Sequence, residues 1–239
     1  MNYHPEGMYV WGAWYYRHRD QIHAIYLQQK RPGSSRPDRG VGALGHAVSD
    51  DLVSWQELPP ALYRGEPGTY DDLDLWTGCT IEHDGLLYLY YTARSSVEGG
   101  KVERIALATS EDGVRWQRRG VVIEPDPRLY CARGNTSPLR GHAFGHVDCR
   151  DLIVVRDPES DWFYGFFAAR RHAAEIARTS VIGLCRSRDL VNWEQMPPAF
   201  APDRYACVEV PDVFYLDGRW YMTCLTGNAY GQRFRLSDP

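Results

Sequence analysis

Short apolar runs rich in Tyr, Trp, Val and Ile recur along the chain, broken by turn residues roughly every eight to twelve positions. Such runs predict β-strands, and no stretch carries the longer period of an extended amphipathic helix. Asp84-Gly85 and Asp217-Gly218 read as hairpin turns, because Asp-Gly readily takes the positive φ values of tight primed turns. A second regularity lies above the strands. Ala47-Val48-Ser49-Asp50-Asp51-Leu52-Val53-Ser54-Trp55 returns as Ala108-Thr109-Ser110-Glu111-Asp112-Gly113-Val114-Arg115-Trp116 and as Cys185-Arg186-Ser187-Arg188-Asp189-Leu190-Val191-Asn192-Trp193. Before each copy a turn leads into an aromatic-rich strand, as in Asp84-Gly85-Leu86-Leu87-Tyr88-Leu89-Tyr90. A repeat of roughly 60–80 residues predicts four-stranded blades around an axis.

The recurring Asp-x-x-x-Trp has a scaffold explanation. The Asp caps the turn between the third and outermost strands, and the Trp packs between blades. Three repeats are complete, and a fourth opens with Val208-Glu209-Val210-Pro211-Asp212 and Gly218-Arg219-Trp220-Tyr221-Met222 before the sequence ends at Pro239. The expectation is one propeller domain over residues 1–239 with its C-terminal blade or blades missing, since an open propeller leaves strand edges unpaired. A fragment, a truncated reading frame, or a partner chain that completes the ring would each account for it.

Composition narrows the setting. The chain has 239 residues, a net charge of −4 and 13% aromatic residues, with no basic concentration of the kind that binds nucleic acid. No run approaches a membrane span, and Met1-Asn2-Tyr3-His4 is not a secretion signal. Six cysteines are scattered without any CxxC pair, which argues against structural zinc and for buried reduced thiols in a cytoplasmic protein. Segment 31–40 reads as a surface loop and segment 125–148 as a long excursion between blades. His142 and His146 share the i, i+4 spacing of a metal pair, but Gly141 and Gly145 argue against the helix that spacing needs. No metal or cofactor is expected.

Four motifs in order carry a resemblance. They are Gly45-His46-Ala47 through Gln56-Glu57-Leu58-Pro59, then Trp76-Thr77-Gly78, then an Arg-Asp pair, then a Glu shortly before Pro. Together they resemble the five-bladed propeller glycosidases of glycoside hydrolase families 32, 43 and 68, most of all family 32. The resemblance implies an all-β fold of the five-bladed β-propeller type, incomplete here with about three and a half blades present.

It also implies three carboxylates on innermost strands: a nucleophile, an acid/base and a stabiliser of the oxocarbenium-like transition state. The acid/base maps to Glu209 in Cys207-Val208-Glu209-Val210-Pro211, a strand position where partial burial would suit an acid. The stabiliser maps to Asp151, with Arg150 beside it, although Leu152 stands where the family usually has Pro. Arg156-Asp157-Pro158 fits the family pattern too, yet Asp157 lies too close to the hairpin before Trp162 and reads as turn chemistry.

The nucleophile is where the pattern breaks. Related sequences look like Val-Trp-Asp-x-Trp, and this chain has Val10-Trp11-Gly12-Ala13-Trp14. Gly12 is read as a lost nucleophile, in a disabled glycosidase or in a sugar-binding pseudoenzyme; takeover by Glu6, Asp72 or Asp74 is the remaining route. A mere strand bulge would not explain why Trp11 and Trp14 remain. Trp11, Trp14 and Trp76 are expected to line the sugar site, and Asp71, Asp72 and Asp74 to meet hydroxyls at its rim. The implied activity is double displacement on a small furanoside, β-fructofuranoside or arabinofuranoside. The alternatives are a noncatalytic carbohydrate-binding propeller, an interaction scaffold or a non-functional fragment.

Overall fold

The computed structural model describes residues 3–35, 42–132, 146–173 and 178–227, together with the backbone of 235–236. Four sheets follow one another along the chain, each made of consecutive strands in sequence order. The first holds β1 (Met8–His18), β2 (Gln21–Lys30), β3 (Leu44–Ser49) and β4 (Gln56–Leu62). The second holds β5 (Asp74–His83), β6 (Leu86–Arg94), β7 (Glu103–Ser110) and β8 (Gln117–Ile123). The third holds β9 (Cys149–Arg156), β10 (Phe163–Arg170), β11 (Ser180–Ser187) and β12 (Glu194–Phe200). The fourth is three-stranded: β13 (Cys207–Leu216), β14 (Arg219–Gly227) and the short β15 (Arg235–Leu236). No α-helix occurs among the described residues.

Local chemistry accounts for the connections. Asp84-Gly85 takes φ values of 49° and 77°, and Asp217-Gly218 takes 49° and 79°, the positive pairs that a tight primed hairpin needs. The repeated Ser-x-Asp turns close β3–β4, β7–β8 and β11–β12 in the same way. In the first, Asp51 Oδ1 accepts the amides of Val53 at 2.8 Å and Ser54 at 2.6 Å, while Ser49 Oγ accepts the amide of Leu52 at 2.8 Å. Asp112 with Ser110, and Asp189 with Ser187, repeat these bonds. The following residue is left-handed in each: Leu52, Gly113 and Leu190. Trp116 then lies edge-on to Tyr16 of β1, as a Trp packing between blades should, whereas Trp55 packs against Tyr3 and Tyr15 on the face of its own sheet.

Compactness divides the chain into two units, 1–100 with 106–120, and 101–105 with 121–239. The first unit is built on Ile25, Leu27, Leu44, Leu75, Leu87, Leu89 and Tyr91, with Trp14, Trp76 and Trp116 at its margin. Full burial of each such aliphatic side chain contributes about 1.5–3 kcal/mol. In the second unit Ile182, Tyr205 and Val208 pack with Phe166, Phe200 and Met222.

One irregularity positions the candidate chemistry. The first strand of every sheet carries a β-bulge: β1 between Trp11 and Trp14, β5 between Trp76 and Gly78, and β9 and β13 opposite Phe166–Ala168 and between Glu209 and Asp212. Gly12, Asp151 and Val210 are the left-handed residues of three of them, at φ 54°, 58° and 50°. Gly12 is therefore in a bulge after all, and Val210 is half-exposed at the kink instead of alternating simply with Glu209. Residues 36–40 of the expected surface loop and 133–145 of the long excursion, His142 among them, lie outside the described residues.

Candidate active site

In the second unit the sequence-predicted residues come together. The bulge in β9 lifts Asp151 out of the ladder next to Arg150, and the bulge in β13 does the same beside Glu209. Arg150 donates to Glu209 Oε2 from Nη2 at 2.8 Å and from Nε at 3.1 Å. Asp151 Oδ2 accepts the amide of Val210 at 3.2 Å and lies 3.5 Å from Arg150 Nε. Glu209 keeps partial solvent contact, with 18% of its side chain exposed, whereas Arg150 is buried. Asp157, by contrast, accepts the amide of Glu159 and the hydroxyl of Ser160 at an exposed turn, as expected for turn chemistry.

Three residues that sequence reasoning missed complete this cluster. Glu103 opens β7, next to the isolated parallel bridge between Val102 and Val147, and its amide donates to the carbonyl of Val147 at 3.0 Å. Its Oε2 takes Arg150 Nη1 at 3.0 Å and the amide of Cys149 at 3.2 Å. Asp148 Oδ2 takes Arg170 Nε at 2.6 Å and lies 3.6 Å from Arg150 Nη1. Arg170, itself fully buried, also reaches Thr179 Oγ1 and the carbonyl of Ala206. One buried guanidinium thus faces the four carboxylates of Glu103, Asp148, Asp151 and Glu209.

Burial pushes the carboxyl of Glu103 up, and Arg150 only partly offsets it. Burial acts on Asp148 in the same sense, but Arg150 and Arg170 outweigh it and hold that carboxyl below its usual range. Burial also pushes the thiols of Cys149 and Cys207 up, which disfavours their thiolate forms. The signal that could have revealed Asp148 is its place two residues before Arg150, at the entry to β9. Glu103 gave no such signal.

The first unit holds the other predicted residues. Trp11, Trp76 and Asp74 line one cavity of about 190 Å³, with Leu27, Gln28 and Arg64. Trp11 is 49% exposed, and the guanidinium of Arg94 stacks over Trp76 at 4.1 Å. Asp74 is held by Arg94 Nη1 at 3.1 Å and Arg64 Nη2 at 3.3 Å. Trp14 belongs to the packing instead: its Nε1 donates to Thr80 Oγ1 at 3.1 Å and its ring abuts the core.

Asp72 staples a loop, accepting from the amide and hydroxyl of Ser96 and from the amide of Gly68. The Ser96 bonds, then Gly68, hold its carboxyl down at about 2. Buried Asp71 is tied to Tyr91 Oη and Arg118 Nε, both at 2.8 Å. Both oxygens of Asp72 and of Asp74 are thus engaged, so neither is a ready substitute for a nucleophile at position 12. Between Met8 and His18 the strand that carries Gly12 contains no carboxylate at all.

The sequence model described as the glycosyl hydrolases family 32 N-terminal domain matches residues 12–137, over half of the chain. The chain belongs to glycoside hydrolase family 32. Sucrose-6-phosphate hydrolase of Escherichia coli is 30% identical over 231 residues, 90% of this family 32 chain and 42% of that protein. The chain thus spans under half the length of that relative. Among solved structures, inulosucrase from Halalkalicoccus jeotgali bound to kestose superposes with a TM-score of 0.71 at 22% identity, over 95% of this chain and 62% of that one. A Bombyx mori family 32 β-fructofuranosidase carrying an aspartate-to-alanine substitution, in complex with sucrose, gives 0.60 at 24% identity, over 91% and 41%. At such identities the likeness shows the fold, which is that of the β-propeller glycosidases.

Proposed function

We propose that this chain recognises a small fructofuranoside as a family 32 protein does, and that as it stands it binds the sugar without hydrolysing it. The observation that carries the reading is Gly12. Retaining glycosidases need one carboxylate to attack the anomeric carbon and a second to protonate the leaving oxygen. Here Glu209 is available for the second task and β1 offers nothing for the first.

In this reading Glu209 is the acid/base. Both bonds from Arg150 fall on Oε2, which leaves Oε1 for the oxygen of the scissile bond. Asp151, fixed by the Val210 amide, is the ionised group that favours positive charge on the ring. In the first unit Trp11 and Trp76 present flat apolar faces along one cavity, beside Arg64 and the ion-paired Asp74. With a carboxylate at position 12 the cycle would close. That carboxylate would attack the anomeric carbon as Glu209 hands its proton to the departing alkoxide. Water, deprotonated by Glu209, would then release the sugar and restore both groups.

The fructofuranoside class is supported by the sucrose and kestose ligands of the related proteins. The Bombyx mori complex supports the separation of binding from turnover, since a variant with an aspartate removed still holds sucrose there. The interior of the cell is the compartment that fits the unpaired spacing of the cysteines. The test is hydrolysis of sucrose, an aryl fructofuranoside and an aryl arabinofuranoside by the chain and by Gly12→Asp. Turnover that appears only in the variant supports the reading; turnover by the unaltered chain overturns it.

A further inference from the structure

The backbone at Gly12 is not what excludes an aspartate. Its φ of 54° is left-handed, but Asp151 holds φ 58° in the bulge of β9. Asp is among the residues that tolerate this region. Space is the obstacle. A Cβ added to Gly12 would lie 2.8 Å from Thr77 Cγ2, with Leu27 Cδ1 at 3.1 Å and Leu27 Cγ at 3.3 Å. Carbon atoms pack best at about 3.5–4.0 Å, so the first of these contacts is deeply repulsive.

Thr77 has little freedom to withdraw. It is the extra residue of the bulge in β5, and its carbonyl accepts the hydroxyl of Thr92 at 2.9 Å. Its neighbour Gly78 is pressed so closely on the backbone of Tyr90 that even a Cβ would collide there. The strand cannot step back, and a β-branched side chain is stiff about χ1. Leu27, by contrast, can turn a terminal methyl.

We propose that Thr77 is a specificity-determining partner of position 12: its γ-methyl fills the volume that a side chain there would need, so the two positions form one coupled pair in the sugar site. The coupling stands on geometry, while its catalytic consequence rests on the reading of Gly12 as the nucleophile position. Serine keeps the hydroxyl of Thr77 and removes only the methyl, so Thr77→Ser should reopen the space.

A double-mutant cycle tests the pair by thermal unfolding of the full chain, Gly12→Ala, Thr77→Ser and the double variant. Gly12→Ala should lower the Tm by roughly 5 °C, and by less when Thr77 is already Ser, the strain of the left-handed φ being common to both backgrounds. Equal losses in both backgrounds overturn the proposal. If Gly12→Ala yields no folded protein, a folded double variant supports the coupling and an unfolded one overturns it. Sucrose hydrolysis by Gly12→Asp/Thr77→Ser is the separate arm. Coupling in Tm with no turnover sinks the catalytic reading and leaves the pairing of Thr77 with position 12 standing.

Discussion

Arg150 donates two hydrogen bonds to one oxygen of Glu209, from Nη2 at 2.8 Å and from Nε at 3.1 Å. The same guanidinium is bonded to Glu103 and lies within 4 Å of Asp148 and Asp151, so it is the counter-charge of a buried acidic cluster. Removing one partner of such a cluster is costlier than the pairing energy alone, because the charges left behind remain out of water. Arg150→Met should therefore destabilise the fold by about 3–5 kcal/mol. Arg150→Lys, which keeps the charge and loses the fork, should cost less. Urea unfolding of the two variants checks the order; equal losses would mean that charge plays no part.

The repeated turns make a smaller and more local prediction. Ser187 is buried, accepts the amide of Leu190 at 2.9 Å and donates to Asp189 Oδ1 at 3.0 Å. Ser187→Ala removes that bond and should cost about 1 kcal/mol. Ser110→Ala, in the equivalent turn of β7–β8, should cost a similar amount. Denaturant midpoints of both variants decide whether the repeat acts as a staple; two unchanged midpoints would argue that it does not.

Histidines in the first unit give a pH dependence. His23 Nδ1 lies 2.9 Å from His46 Nε2, and the ring of His23 stacks on Tyr16 at 4.9 Å. Burial, then the neighbouring His18, lowers His23 to about 4. Burial, then His23, lowers His46 to about 3. Both folded values lie below the unfolded one of about 6.5, so between them the unfolded chain binds more protons. Their contribution is complete above about pH 6.5 and is lost as pH falls toward 4. The Tm should drop between pH 7 and pH 5. A flat profile in that window would contradict the buried neutral pair.

Strands, hairpins and staples were legible in the sequence because each is written locally. Asp84-Gly85, Asp217-Gly218 and the Ser-x-Asp turns carry their geometry within a few residues. The bulges were not legible, since an extra residue in one strand shows only against its partner strand. Glu209 illustrates the consequence: alternation with Val208 and Val210 suggests a simple strand, yet the bulge turns Val210 outward. The acidic cluster stayed hidden for a different reason. Glu103 meets Arg150 across 47 residues, and nothing near Glu103 in the chain announces that contact. Asp72 and Asp74 are acidic residues beside Trp76, but Arg94 and Ser96 that engage them come from the far end of the next strand and just past it.

Glu209 carries its own prediction. In the Gly12→Asp background, Glu209→Gln keeps the shape of the side chain and the bond from Arg150 while removing the transferable proton. Turnover of sucrose should fall by about 10²–10⁴-fold, the usual contribution of a positioned acid/base. Sugar-dependent thermal shifts should persist in that variant. Undiminished turnover would assign the acid to another residue.

The most direct measurement is the release of fructose from sucrose by four proteins: the chain, Gly12→Asp, Gly12→Asp/Thr77→Ser, and that double variant with Glu209→Gln. The account predicts none from the chain, turnover from Gly12→Asp that rises when Thr77 is also changed, and its loss again without Glu209. Fructose released by the unaltered chain, or by none of the four although all are folded and bind the sugar, would contradict it.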